Sequence, residues 1–236
     1  MSPLSIWRDQ AALVARRPCL FLLVSLALAG TDLLLWRIGV YDGMQATTEA
    51  SRGFLLAKLA ILLGWALLAL RLVDAPERPI GSALRLDRRQ LGWLAGALLA
   101  LPLLFGLRLA LTKLAGLGLA PRAALLTGLI LYLVISLILL VRLFPALIGA
   151  LLGDRTVSLG WSWRATGGRV PSAVLLVLLA LAPLLALHVG LNLMSMTQGA
   201  ALRATLLLAD GAVMALLMAT AMAAYRTLYL RAKAAP

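Results

Sequence analysis

Asp32, Lys58, Arg108, His188, Asn192 and Asp210 all interrupt long apolar runs of this chain. A charged side chain within a transmembrane helix costs about 2.5–3.5 kcal/mol at the bilayer centre and less toward its edge. Such residues must therefore face each other, a cavity or the interface. Counted from the expected outer helix ends, Asp32, Lys58, His188 and Asp210 each lie about five to seven residues deep, about 8–11 Å at 1.5 Å per residue. Arg108 and Arg37 sit shallower. Two arrangements fit this spacing. One is a polar pocket open to the outer side, in which Asp32 and Asp210 balance Lys58 and Arg108 while His188 and Asn192, one turn apart, add hydrogen bonds. The other is a set of interhelical salt bridges, with Lys58 and Arg108 snorkelling.

The usual enzymatic constellations lack their parts. His188 is the only histidine and Cys19 the only cysteine, so a His-rich metal site, a Cys–His dyad and an internal disulfide have no material. The chain has no G-x-x-x-x-G-K-[ST] phosphate loop and no G-x-S-x-G elbow. Nor does it have an acidic cluster suited to holding Mg²⁺ beside a phosphate. No catalytic residue, cofactor site or metal site is expected.

The polar residues are carried by six apolar stretches, at roughly 18–39, 53–73, 91–112, 123–145, 172–194 and 204–230. Each reaches the roughly 20 residues that a helix needs to cross about 30 Å of hydrocarbon. The composition agrees, at 63% hydrophobic and 13% charged. The first stretch, after Arg16 and Arg17, resembles a signal peptide up to Ala27-Leu28-Ala29. Apolar character resumes at once through Leu33–Trp36, which makes it a transmembrane helix. The expected fold is all-α, a single polytopic membrane domain over residues 1–236 with short loops.

The net charge of +13 gathers at helix ends. That placement suits anionic headgroups and orientation rather than nucleic acid. Every segment on the N-terminal side of the membrane carries at least three basic residues, among them Arg8, Arg16 and Arg17, then Arg71, Arg78, Arg85, Arg88 and Arg89. Both termini are therefore expected in the cytoplasm, with the chain in a bacterial inner membrane.

An amphipathic segment precedes each outward-going helix, so the chain reads as three two-helix hairpins with interfacial lead-ins. The first segment lies within residues 1–17, with Leu4, Trp7, Ala11 and Val14 on one face. The second is Ser82–Arg89. The third, Val157–Thr166, lies in an expected cytoplasmic amphipathic loop at 146–171, with Ser158 as N-cap and Gly167 as C-terminal stop. Arg85, Arg88 and Arg89 of the second segment and Trp161, Trp163 and Arg164 of the third are the candidate cytoplasmic contacts to lipid or to a partner. Pro102 and Pro183 are expected to kink their helices. Gly211, Ala215, Ala219 and Ala223 form a small-residue stripe that permits close packing inside the fold or against another subunit.

Three segments carry a resemblance: Arg142-Leu143-Phe144-Pro145-Ala146, Ser162-Trp163-Arg164-Ala165-Thr166-Gly167-Gly168 and Ala224-Tyr225-Arg226-Thr227-Leu228. Together they resemble the bacterial six-helix inner-membrane family of YciC-type proteins, which includes the membrane domain fused to some glycerophosphodiester phosphodiesterases. Gly168 departs from that pattern, and no phosphodiesterase domain accompanies the segments. The resemblance implies a fold and a location but little chemistry. The expected function is a non-enzymatic membrane component, either an accessory or assembly factor or a subunit of a larger complex with membrane-protein partners. The alternative is a transporter or lipid-handling protein that uses the outer charged layer.

Overall fold

The computed structural model describes residues 3–38, 49–117 and 120–234, without the side chains of 49–52, 101, 102, 104, 105, 108, 115, 121, 122 and 124. The described residues form helices and their connections, without strands. In chain order the helices are α1 (Pro3–Arg16), α2 (Pro18–Arg37), α3 (Glu49–Asp74), α4 (Ile80–Leu84), α5 (Arg88–Gly116), α6 (Pro121–Leu151), α7 (Leu159–Ala165), α8 (Val170–Thr197) and α9 (Ala200–Lys233). Among the described residues, five stretches are long and apolar enough to cross a membrane: Pro18–Arg37, Gly53–Asp74, Leu125–Leu151, Val170–Thr197 and Ala200–Lys233. The chain forms two compact units, one of residues 1–85 with 176–224, the other of 86–175 with 225–236.

In the first unit, α2 and α9 run antiparallel, because Trp36 faces Arg203 while Ala29 faces Gly211. A Cβ at Gly211 would lie 2.6 Å from the Ser25 carbonyl oxygen and 2.8 Å from the Ala29 nitrogen, so only glycine permits this approach. Gly211, Ala215, Ala219 and Ala223 therefore turn their stripe inward, and the three alanines are at most 1% exposed. Trp65 fills the centre of the core with Leu28, Leu68, Leu72, Ala215 and Ala219. Its indole N–H donates to the Ala215 carbonyl at 2.7 Å, which satisfies the one polar atom the ring brings inside.

Helix α1 packs on this core through Ile6, Gln10 and Leu13. The stripe of Leu4, Trp7, Ala11 and Val14 is the outer one, with Leu4 78% exposed. Two apolar stripes share this helix, and a glutamine in the inner one disguised it. The second lead-in segment is also divided. Helix α4 ends at Leu84, and the buried Arg71 donates to the Ala83 and Arg85 carbonyls at 3.0 and 2.5 Å. Arg88 and Arg89 instead open α5. Asp87 Oδ1 accepts from Gln90 N at 2.7 Å, and Gln90 Oε1 accepts from Asp87 N at 3.0 Å. This reciprocal capping box fixes the start of the helix.

In the second unit, α5 and α6 run antiparallel, with Gly128 against Thr112 and Gln90 against Leu151. Helix α6 continues six residues beyond Pro145, into the segment expected as loop. Proline removes one N–H and therefore one hydrogen bond. The face beyond it stays buried through Ala146, Ile148 and Ala150, so packing carries the helix onward. Ser158 caps α7, its hydroxyl accepting from Trp161 N at 3.1 Å. Gly168, at φ +71°, makes the left-handed turn after the helix, a role the sequence had pointed to in Gly167. Pro183 lies inside α8, and the side chain of Pro102 is outside the described residues.

Candidate functional site

Asp32 and Asp210, the buried acids of the first unit, lie at one level. Asp32 stands three residues beyond the Ala29–Gly211 crossing on α2, and Asp210 one residue beyond it on antiparallel α9. At 1.5 Å per residue their levels differ by about 3 Å. Both residues are 1% exposed. Lys58 of α3 reaches Asp32, Nζ to Oδ1 at 2.5 Å. His188 of α8 meets Asp210, Nδ1 to Oδ1 at 2.6 Å. Asn192, one turn on, donates from Nδ2 to Asp210 Oδ2 at 3.0 Å and to the His188 carbonyl at 2.9 Å.

The layer thus contains the pair Asp32–Lys58 and the group Asp210–His188–Asn192. The sequence had set Asp32 and Asp210 together against Lys58 and Arg108, with His188 and Asn192 adding hydrogen bonds and no partner assigned to Asp210 alone. In the structure its partners come from α8, because the short α8–α9 connection brings position 188 level with 210. The Arg108 side chain lies outside the described residues. Helices α8 and α9 also extend beyond the expected boundaries, to Thr197 and from Ala200. His188 and Asp210 are therefore nine and ten residues from their helix ends, about 14 Å.

Beside this cluster is a recess lined by Trp36, Asn192, Ser195, Met196, Arg203 and Leu207, with room for about one water molecule. Arg203 donates from Nε to the Ser195 carbonyl at 2.6 Å and from a terminal nitrogen to the Met196 carbonyl at 3.1 Å. It thereby caps the last turn of α8, and its guanidinium lies 5.5 Å over the Trp36 ring. Neither Arg203 nor Trp36 was a sequence candidate, since their meeting depends on the α2–α9 register.

A second polar cluster, in the other unit, centres on Asp154. Its carboxylate accepts from the Tyr229 hydroxyl at 2.6 Å, Lys233 Nζ at 2.9 Å, and the Thr156 amide and hydroxyl at 2.9 and 2.7 Å. These donors, the Tyr229 hydroxyl first, hold the Asp154 carboxyl well below the usual carboxylate range. Gly149 makes room for the ring, since a Cβ there would lie 2.6 Å from Tyr229 Cε2. The G-D-x-T run at 153–156, a turn signature, was the sequence signal for this acid.

The structure sorts the six lead-in candidates. Arg89 donates to the Asp154 and Val157 carbonyls at 3.3 and 3.1 Å. Trp161 packs edge-on against Tyr229, ring centroids 6.2 Å apart. Trp163 is 46% exposed beneath the Arg142 guanidinium, which lies 4.4 Å from its ring centroid. Arg85, Arg88 and Arg164 are exposed. The motif segments also meet here. Ser162 Oγ donates to the Arg142 carbonyl at 2.5 Å, an Arg142 terminal nitrogen donates to the Trp163 carbonyl at 3.3 Å, and the Phe144 and Tyr225 rings lie 4.3 Å apart.

Chemically, these clusters place acids against hydrogen-bonding partners from other elements and so tie helices together. Among the described residues no group of three or more His, Cys, Asp or Glu is placed to hold a metal ion. Comparison of the chain with protein-family models, with curated proteins and with solved structures finds no match.

Proposed function

We propose that this chain is a non-enzymatic integral protein of the bacterial inner membrane, an accessory or assembly factor or a subunit of a larger complex. In this reading it crosses the membrane six times with both termini in the cytoplasm. The sixth span is α5, whose 29 residues extend about 44 Å as a helix alongside α6. The resemblance to the YciC-type family belongs to the same proposal.

The observation that carries the functional reading is the closure of the charged layer. Asp32 and Asp210 are 1% exposed, each held by a partner on a neighbouring helix, beside a recess that takes about one water. Charge used in this way fixes helix positions, and a scaffold or subunit needs that. Native mass spectrometry after mild detergent extraction tests it. A stoichiometric protein partner is expected, and a chain that emerges alone with a bound lipid or anion would refute it.

The recess favours one second reading, a transporter or lipid-handling protein with an aqueous path to His188 and Asp210. Cysteines placed at 188, 192 and 203 would then react with membrane-impermeant thiol reagents. Unreactive positions would remove its support.

A further inference from the structure

Helix α7 sits on α6 by a fixed seam. Ser162 and Thr166, one turn apart, are 0% and 6% exposed, and the Ser162 hydroxyl bonds the Arg142 carbonyl. With that seam fixed, 100° per residue places Leu159 and Trp163 on one flank and Arg164 on the face opposite the seam. Leu159 and Trp163 are 53% and 46% exposed. Arg142 lies over the Trp163 ring and bonds the Trp163 carbonyl. Arg155, Arg164 and Arg169 are exposed around this helix. No aspartate or glutamate occurs from residue 155 to 209, and Asp154 is held by Lys233 and Tyr229.

From this combination we propose that α7 and its flanks form a binding surface for anionic phospholipid headgroups. Leu159 and Trp163 enter the acyl boundary, and Arg155, Arg164 and Arg169 meet the phosphates. An exposed apolar flank beside uncompensated arginines matches the chemistry of an interfacial helix. A soluble acidic protein would match the arginines but would leave Leu159 and Trp163 in water.

The test is the association of spin-labelled phosphatidylglycerol, relative to spin-labelled phosphatidylcholine, with the full chain in phosphatidylcholine bilayers. A surface arginine contributes about fivefold to such association. Arg164→Gln should therefore lower the preference up to about fivefold, and the Arg155→Gln, Arg164→Gln, Arg169→Gln triple variant should bring it close to one. The corresponding triple lysine variant should keep it. A triple glutamine variant with wild-type preference overturns the proposal. So does an equal loss from Arg8→Gln with Arg16→Gln on α1, which would make the effect one of overall charge. If the triple glutamine variant is not recovered folded, salt decides: a wild-type preference that does not fall between 0.05 and 0.5 M salt overturns it. A soluble protein displaced by Arg164→Gln, with lipid preference unchanged, would assign the surface to protein docking instead.

Discussion

Gly211→Ala should separate α2 from α9. The added Cβ would meet the Ser25 carbonyl oxygen at 2.6 Å, the Ala29 Cβ at 2.7 Å and the Ala29 nitrogen at 2.8 Å. Two of these are backbone atoms, which cannot move by a rotamer change. Ordinary contact begins at 3.4 Å, so the helices must part by roughly 0.8 Å at this crossing. Overpacking of this kind costs about 1–3 kcal/mol. Alanine also gains about 1 kcal/mol over glycine from helix propensity, so the clean comparison is with a glycine in open space. Gly190 of α8 has nothing within 4 Å of its added Cβ. Gly190→Ala collects the propensity gain alone. The two variants should differ by about 1–3 kcal/mol, or roughly 2–12 °C in Tm at 2–4 °C per kcal/mol for a chain of this length. Thermal unfolding in detergent, followed by tryptophan fluorescence, reads the difference directly because Trp65 donates to α9 one turn from the crossing. Equal melting temperatures for the two variants would refute the close approach, and with it the alignment of the charged layer.

Two further predictions concern the acids. Lys58→Met removes the cation from a carboxylate whose side chain is 2% exposed, and should destabilise the chain by about 3–5 kcal/mol. Adding Asp32→Asn should recover most of that loss, and a double variant no more stable than Lys58→Met would deny the pairing. Asp154 gives the pH dependence. Its folded carboxyl titrates below the ordinary value of 3.8, so its contribution is fully present above that value and is lost as pH falls below it. Asp154→Asn should lower Tm at neutral pH and flatten the acid limb of Tm against pH. An acid limb identical to wild type would show that another group controls it.

Helix existence and order were legible because apolar runs of about 20 residues leave little choice of structure. Boundaries were less so. The end of α6 was read at Pro145, since a proline's effect on its own turn is visible in sequence while the buried seam beyond it is not. The start of α5 was written in Asp87-Arg88-Arg89-Gln90, but the same residues also fitted an amphipathic segment. The polar layer was visible as residues and levels. Its pairing was not, because partners depend on which helix flanks α9, and that is set by Gly211 and by the α8–α9 connection. Asp154 was overlooked because it lies outside the apolar runs, and its donors Tyr229 and Lys233 are 75 and 79 residues away.

The paired groups of the charged layer are close along the chain. Asp32 and Lys58 are 26 residues apart, and His188 and Asp210 are 22 apart. Each acid finds its partner on the helix immediately before or after its own. During synthesis, a helix arriving in the bilayer with a bare carboxylate waits only for the next helix to bring the balancing group. The α2–α3 hairpin can thus enter the lipid with its acid and its lysine already paired, whatever the rest of the chain has yet to do. The order of translation itself shortens the time that any acid spends alone in hydrocarbon.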